Sequence, residues 1–153
     1  MRKVPSAVVV ITTKSGNECR GVTCTSFNSI SLSPPIISFA LKTPSNTLSI
    51  LTKSNLFAVH ILSSKQIAHS KAFSSPKTQS DFQNFPHYIL REMPILQGCL
   101  GVFICKLEKN ITVGDHVIFF GKVESIEDDG IAKRTSKTYE RLKPLLYFDS
   151  SYR

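Results

Sequence analysis

"GVTCTSFNSISLSPP", residues 21 to 35, decides how this chain reads. It holds six hydroxyl residues (Thr23, Thr25, Ser26, Ser29, Ser31 and Ser33), one cysteine, one asparagine and a double proline. It holds no carboxylate, lysine or histidine. A strand feeding a hydrophobic core has little use for so many small hydrogen-bonding groups. The stretch is either a Ser/Thr-rich edge strand or the wall of a site that takes hydrogen bonds without charge.

Upstream of it, residues 4 to 13 (VPSAVVVITT) form a β-branched, nearly continuous run, the pattern of a strand buried on both faces. Ser15-Gly16-Asn17 is a turn, and residues 18 to 25 return as a second strand, which makes a hairpin. Downstream, Pro34-Pro35 breaks the chain and residues 36 to 42 form a third strand. Leu48 and Leu51 within "SNTLSILTKS" predict a short helix capped near Ser45. Residues 56 to 62 read as a strand. Ser63-Ser64 then caps a second helix over "KQIAHSKAF", with Ile67 and Phe73 toward the inside.

The polar, proline-punctuated residues 74 to 94 read as a long loop. Strand signals resume at residues 99 to 107 and 116 to 126, joined by "EKNITVGD" as a hairpin connection. "EDDG" (127 to 130) is a tight turn, residues 131 to 143 are ambiguous, and residues 145 to 148 form a last short strand. Six or seven strands with two short helices predict a mainly β fold, a small barrel with helical insertions, and not alternating βαβ units. A length of 153 residues suits a single domain over 1–153 with its own core.

The net charge of +8, from 19 Lys+Arg against 11 Asp+Glu, favours anionic partners. The densest basic stretch is Lys133, Arg134, Lys137, Arg141 and Lys143. It reads more simply as a solvated face than as a nucleic-acid footprint, so nucleic acid is disfavoured as a partner. No apolar run approaches the roughly 20 residues of a membrane helix, and no signal peptide pattern is visible, so no membrane association is expected. Cys19, Cys24, Cys99 and Cys105 lack zinc-pair spacing, and no metal set is expected. Residues 19 and 24 fall on opposite faces of a strand. Four reduced, mostly buried thiols are expected, which suits the cytoplasm or the mitochondrial matrix.

No G-x-S-x-G, H-E-x-x-H, phosphate-binding G-x-x-x-x-G-K or G-x-G-x-x-G is present. In "LKTPSNT" (41 to 47) a lysine, hydroxyls and a helix start lie close together. Helix N-terminal amides beside an ammonium suit a phosphate. From spacing alone, an ordinary serine N-cap with a solvent lysine accounts for them more simply. His60, within "AVHIL", reads as a satisfied strand residue. Asp115 of "GDH" reads as a cap of the Gly-Asp turn. A ligand with a large polar heteroaromatic head and a phosphate tail would engage both the hydroxyl-rich stretch and "LKTPSNT".

Four segments in order resemble the flavin reductase-like, FMN-binding split-barrel family, the reductase components of two-component flavin monooxygenases. They are "VVVITT" (8 to 13), "GVTCTSFNSISLSPPIISFALKTPSNT" (21 to 47), "FAVHILSSKQ" with "KAF" (57 to 73), and "VGDHVIFFGKVESI" with "KPLLYFDSSYR" (113 to 153). The second is the most specific. The family pattern is close to G-x-T-x-x-S-F-x-S-V-S-x-x-P-P, with Ile30 here in place of Val and Val22 where Met is common. The family's usual helix and glycine ahead of the first strand have no counterpart, since Pro5 and Ser6 stand there.

The resemblance implies a Greek-key split β-barrel with two or three short helices, a homodimer, and FMN or FAD near the subunit interface. It implies hydride transfer from NADH or NADPH to the flavin, with reduced flavin supplied to a partner monooxygenase. Thr25 and Ser26 match residues at the flavin ring, partly through backbone amides, and Thr23 is a further expected cofactor-binding residue. Ser29, Phe39 and Ala40 match the ribityl neighbourhood. Lys42, Ser45 and Thr47 match the phosphate segment. His116 matches a histidine near the nicotinamide, and Tyr152 and Arg153 match a segment that closes the pocket. The alternative expectation is a non-catalytic flavin-fold subunit or assembly factor of a larger, RNA-containing complex.

Overall fold

A computed structural model describes residues 3–78, 81–127 and 143–153. The valine-rich run is two strands, β1 (Ser6–Ala7) and β2 (Val9–Ser15), with Val8 at the break. Val8, Val9, Val10 and Ile11 are all fully buried, as a strand covered on both faces requires. Val9 and Ile11 point into one apolar cluster with Phe39, Leu51, Phe57 and Phe119; Val8 and Val10 point into another with Phe73, Phe82, Ile95 and Ile104. Strand alternation thus builds two cores on either side of one sheet.

That sheet has seven strands. β2 pairs with β3 (Glu18–Cys24) in the expected hairpin and with β6 (Leu56–Ile61) on its other side. The long hairpin of β9 (Gly101–Val113) and β10 (His116–Glu127) follows, then β5 (Pro35–Lys42) and β4 (Asn28–Leu32) at the edge, in the order β3-β2-β6-β9-β10-β5-β4. Cys19 packs against one core cluster and Cys24 within the other, so they lie on opposite faces, and none of the four cysteines is in a disulfide.

Several expectations need correction. β4 carries no strand signal because all five of its residues are polar or exposed; Leu32 is 88% exposed. The double proline therefore joins two paired strands: Ser33 and Pro34 make the turn and Pro35 opens β5. The long loop contains a 3₁₀ turn (Phe82–Asn84) and a hairpin of β7 (His87–Leu90) and β8 (Met93–Leu96). Its turn residues, Arg91 and Glu92, both have positive φ, 47° and 66°. That conformation is ordinarily flagged by Asn or Gly, so the hairpin left no turn signature in the sequence. "EKNITV" extends β9, and only Gly114 and Asp115 turn the chain. Residues 108 to 113 look loop-like because they are exposed where the hairpin outruns the core.

The first helix, α1 (Asn46–Ser54), begins after Ser45 as expected and buries Ile50 and Leu51. The second, α2 (Ile67–Ser74), is capped at Gln66 and not at Ser63-Ser64. The amide of Ser63 donates to Gln66 Oε1 (3.0 Å) and that of Ser64 to the Lys143 carbonyl (2.8 Å), which holds both serines outside the helix. Phe73 is fully buried, but Ile67 is 37% exposed; the buried residues of α2 are Ser70 and Phe73. Close approach to β3 depends on Gly21, where a Cβ would stand 2.5 Å from the Phe73 ring. A small second sheet is formed by β1 with β11 (Leu146–Phe148) and β12 (Ser151–Tyr152). Most of the "EDDG" turn and Lys133, Arg134, Lys137 and Arg141 lie outside the described residues.

Candidate functional site

A cleft of about 640 Å³ opens where β3 and β5 end and α1 and α2 meet them. That volume lies in the range of small-molecule sites. The antiparallel β5–β10 pair brings sequence-distant groups together: His116 stands directly opposite Lys42, and the Thr43 amide donates to the Asp115 carbonyl (2.9 Å). Strand alternation sends Ile37, Phe39 and Leu41 inward, while the Ala40 and Lys42 side chains are left more exposed.

Ser26 seals the junction. The Ala40 amide donates to Ser26 Oγ (2.9 Å), and the same hydroxyl donates to the Ala40 carbonyl (3.2 Å). The last β4–β5 partner on β5 is Ser38, so this hydroxyl takes up the backbone groups of Ala40 that no β4 residue reaches. Thr23 is also engaged within the fold, its hydroxyl donating to the Ser70 carbonyl of α2 (2.7 Å). Burial pushes the Cys24 thiol up to about 11, while the Ser26 amide and hydroxyl pull it back part of the way. The thiol is therefore neutral at physiological pH.

The start of α1 supplies the positive end. Ser45 makes no side-chain capping bond, and the first turn holds no acidic residue. The Leu48 amide turns back to the Ser45 carbonyl (3.2 Å), and Ser45 and Asn46, at the positive end of the helix dipole, line the same cleft as Lys42. His116 Nδ1 lies 2.7 Å from Asp115 Oδ1. The hydrogen bond and charge of His116, and the nearby Lys42 ammonium, hold the Asp115 carboxyl below its ordinary range. Among the described residues no carboxylate lines the cleft.

The cleft gathers seven of the expected site residues: Thr23, Thr25, Ser26, Ala40, Lys42, Ser45 and His116. Five lie apart from it. Ser29 is exposed on the edge strand. Phe39 is 1% exposed and stacks on Phe119 at 5.4 Å; the alternation of Ile37, Phe39 and Leu41 already carried that signal. Thr47 is buried on the inner side of α1. Tyr152 bonds Ser70 behind α2, and Arg153 pairs through its backbone with Leu146. Sequence reading missed Val22, Cys24, Pro44 and Asn46, which sit inside stretches it had singled out, and Ser74 and Pro76, which only the docking of α2 delivers.

The cleft also answers the ambiguity of residues 21 to 35. Residues 28 to 32 are an exposed edge strand, whereas residues 22 to 26 wall the cleft. Hydroxyls, amides and a neutral thiol on one side, and an ammonium with a helix N-terminus on the other, fit a neutral polar ring carrying a phosphate, as in a flavin nucleotide.

Comparison with known proteins agrees. The profile of the flavin reductase-like domain family matches residues 1–153. The reductase component of 4-hydroxyphenylacetate 3-monooxygenase from Thermus thermophilus is 31% identical, the alignment covering 100% of this chain and 91% of that protein. An NADH:FMN oxidoreductase of Rhodococcus erythropolis is 30% identical, over 99% of this chain and 77% of the relative. The structure of the Streptomyces globisporus NADH:FAD oxidoreductase in complex with NAD and FAD fragments superposes with a TM-score of 0.85 at 25% identity, covering 99% of this chain and 86% of that one.

Proposed function

Because the chain belongs to the flavin reductase-like domain family, we propose that it is an NAD(P)H:flavin oxidoreductase that reduces FMN or FAD and supplies reduced flavin to a partner monooxygenase. The observation that carries this reading is the cleft, without a carboxylate among its described lining residues, in which Lys42, the start of α1 and His116 converge. Relatives named as NADH:FMN oxidoreductase and as a monooxygenase reductase component support the reaction and the partner. The same cleft favours it over a non-catalytic assembly subunit.

Bound flavin and the nicotinamide supply the redox chemistry between them, a hydride passing from one ring to the other. The chain's own residues bind and orient. The Lys42 ammonium and the positive end of the α1 dipole would hold the phosphate. Since the Ser26 hydroxyl is committed to Ala40, ring contacts at that point fall to backbone amides and to Thr25. Asp115 fixes one ring nitrogen of His116 and leaves the other to meet the second substrate. No general acid–base constellation is required, consistent with a cleft that lines up hydroxyls.

A second copy of the chain completes the reading. Ile30 (52% exposed) and Leu32 on edge strand β4, with Ile111 and Val113 toward the end of the β9–β10 hairpin, are apolar surface that a homodimer would cover. Four cysteines outside any disulfide suit the reducing cytoplasm or mitochondrial matrix. Among the described residues no helix is long and apolar enough to cross a membrane.

The decisive experiment is anaerobic mixing of the purified protein with FMN and NADH, followed through the visible flavin absorption. Catalytic bleaching is expected; neither uptake nor bleaching of FMN or FAD would overturn the proposal. For the phosphate end, Lys42→Ala combined with Ser45→Ala is expected to weaken FMN about 10- to 100-fold, as befits lost charge-assisted contacts, and riboflavin less than threefold or so. Equal losses for both ligands would reject the phosphate assignment.

A further inference from the structure

Tyr152 stands outside the cleft and is nevertheless joined to it. Its hydroxyl lies 2.9 Å from Ser70 Oγ, and Ser70 is fully buried in α2. The carbonyl of that same Ser70 accepts the Thr23 hydroxyl from β3 at 2.7 Å. One helical residue is therefore bonded to the C-terminal strand on one side and to a cleft-lining strand on the other. One turn further along, α2 ends at Ser74, and Ser74 and Pro76 line the cleft.

Tyr152 is itself held in place. It pairs with Tyr147 in the β11–β12 register, with ring centroids 5.4 Å apart, and the backbones of Leu146 and Arg153 exchange two hydrogen bonds. Packing alone would be served by phenylalanine. The phenol oxygen adds one thing, the bond to Ser70. Without it, a buried hydroxyl in mid-helix turns to the carbonyl four residues back, here Gln66, a bond that bends helices.

We propose that Tyr152 is a positioning residue of the reductase: through Ser70 it sets where α2 carries Ser74 and Pro76 along the flavin cleft. It closes the pocket from behind the helix, without touching the ligand. This rests on the flavin reductase reading above.

The test compares wild type, Tyr152→Phe, Ser70→Ala and their double variant, with Thr13→Val as a control. Thr13 loses a comparable hydroxyl bond, to the Leu56 carbonyl at 2.8 Å, and does not line the cleft. Tyr152→Phe is expected to raise both the Kd and the KM for FMN about five- to tenfold, the size of one buried hydrogen bond, with kcat and the KM for NADH within about twofold. Amide exchange over residues 70 to 76 accelerates, and the double variant is no worse than the single ones. Thr13→Val lowers Tm to a similar extent and leaves the Kd for FMN unchanged. A wild type that binds FMN while Tyr152→Phe binds it equally well overturns this inference alone, as does a Thr13→Val variant that loses as much affinity. A wild type that takes up no flavin overturns the functional reading and the inference with it.

Discussion

Gly121→Ala is expected to destabilise the protein by about 3 kcal/mol, at the upper end for overpacked cores, and to lower Tm by roughly 10 °C. Gly121 lies in β10 with its missing side chain directed at the barrel interior. A Cβ there would stand 2.3 Å from Phe57 Cζ, 3.1 Å from Cε1 and 3.3 Å from Cys105 Cβ. The ring has no room to retreat. Phe57 is fully buried, edge-on to Phe39 at 5.3 Å, and Phe39 in turn stacks on Phe119. Displacing Phe57 pushes on β5, the strand that carries Ala40 and Lys42 into the cleft, so FMN affinity falls along with stability. Gly101→Ala is the matched control. Nothing lies within 4 Å of its Cβ, and its change should stay within about 0.5 kcal/mol. Phe57→Leu removes the offending end of the ring and should recover part of the loss when combined with Gly121→Ala. Thermal melts of the four proteins decide the matter; equal Tm for the two glycine variants would refute the packing argument.

The second large effect is a loss of stability in acid, centred on His60. This histidine is fully buried in β6 and bonds on both sides: Nδ1 to the Val10 carbonyl (3.0 Å) and Nε2 to the Leu96 amide (3.1 Å). A carbonyl only accepts and an amide only donates, so the ring is neutral with its proton on Nδ1. It ties β8 to the main sheet. Burial lowers its pKa to about 4; the Val10 bond opposes that shift and nearby His69 adds to it. Because the folded pKa lies below that of the unfolded chain, near 6.5, the contribution is complete above pH 6.5. As pH falls, the unfolded chain takes up a proton that the folded chain refuses. Stability then drops by about 1.4 kcal/mol per pH unit, on the order of 3 kcal/mol by pH 4. Denaturant melts between pH 7.5 and 4.5 measure this slope. His60→Leu is expected to cost about 2 to 4 kcal/mol at pH 7, through the stranded Leu96 amide and Val10 carbonyl, and to flatten the acid limb by close to one proton. An unchanged slope in His60→Leu would assign the acid sensitivity elsewhere.

His60 also shows what a sequence does and does not disclose. A histidine flanked by valine and isoleucine in a β-branched run is legibly a strand residue. Its partners, 50 and 36 residues away, are not legible, because the ladder register selects them. The candidate site divides in the same way. "LKTPSNT" holds a lysine, a serine N-cap and a helix start within a few residues, so the helix start is local and readable, while its assignment to a phosphate came only from the family resemblance. Ser26 was readable as a cleft residue but not as the clasp of Ala40, since that role exists only where the β4–β5 pairing runs out.

By itself the sequence determined the strands β2, β5 and β6, the hairpin into β3 and both helices. These depend on periodicity and capping within a few residues, and such interactions are written along the chain. The tertiary structure alone decided that His116 faces Lys42, that Ser74 and Pro76 reach the cleft, that Tyr152 stands behind α2, and that Phe39 and Thr47 are buried. Each of these follows from register or docking, for which one strand's alternation offers two faces and only its neighbours choose between them.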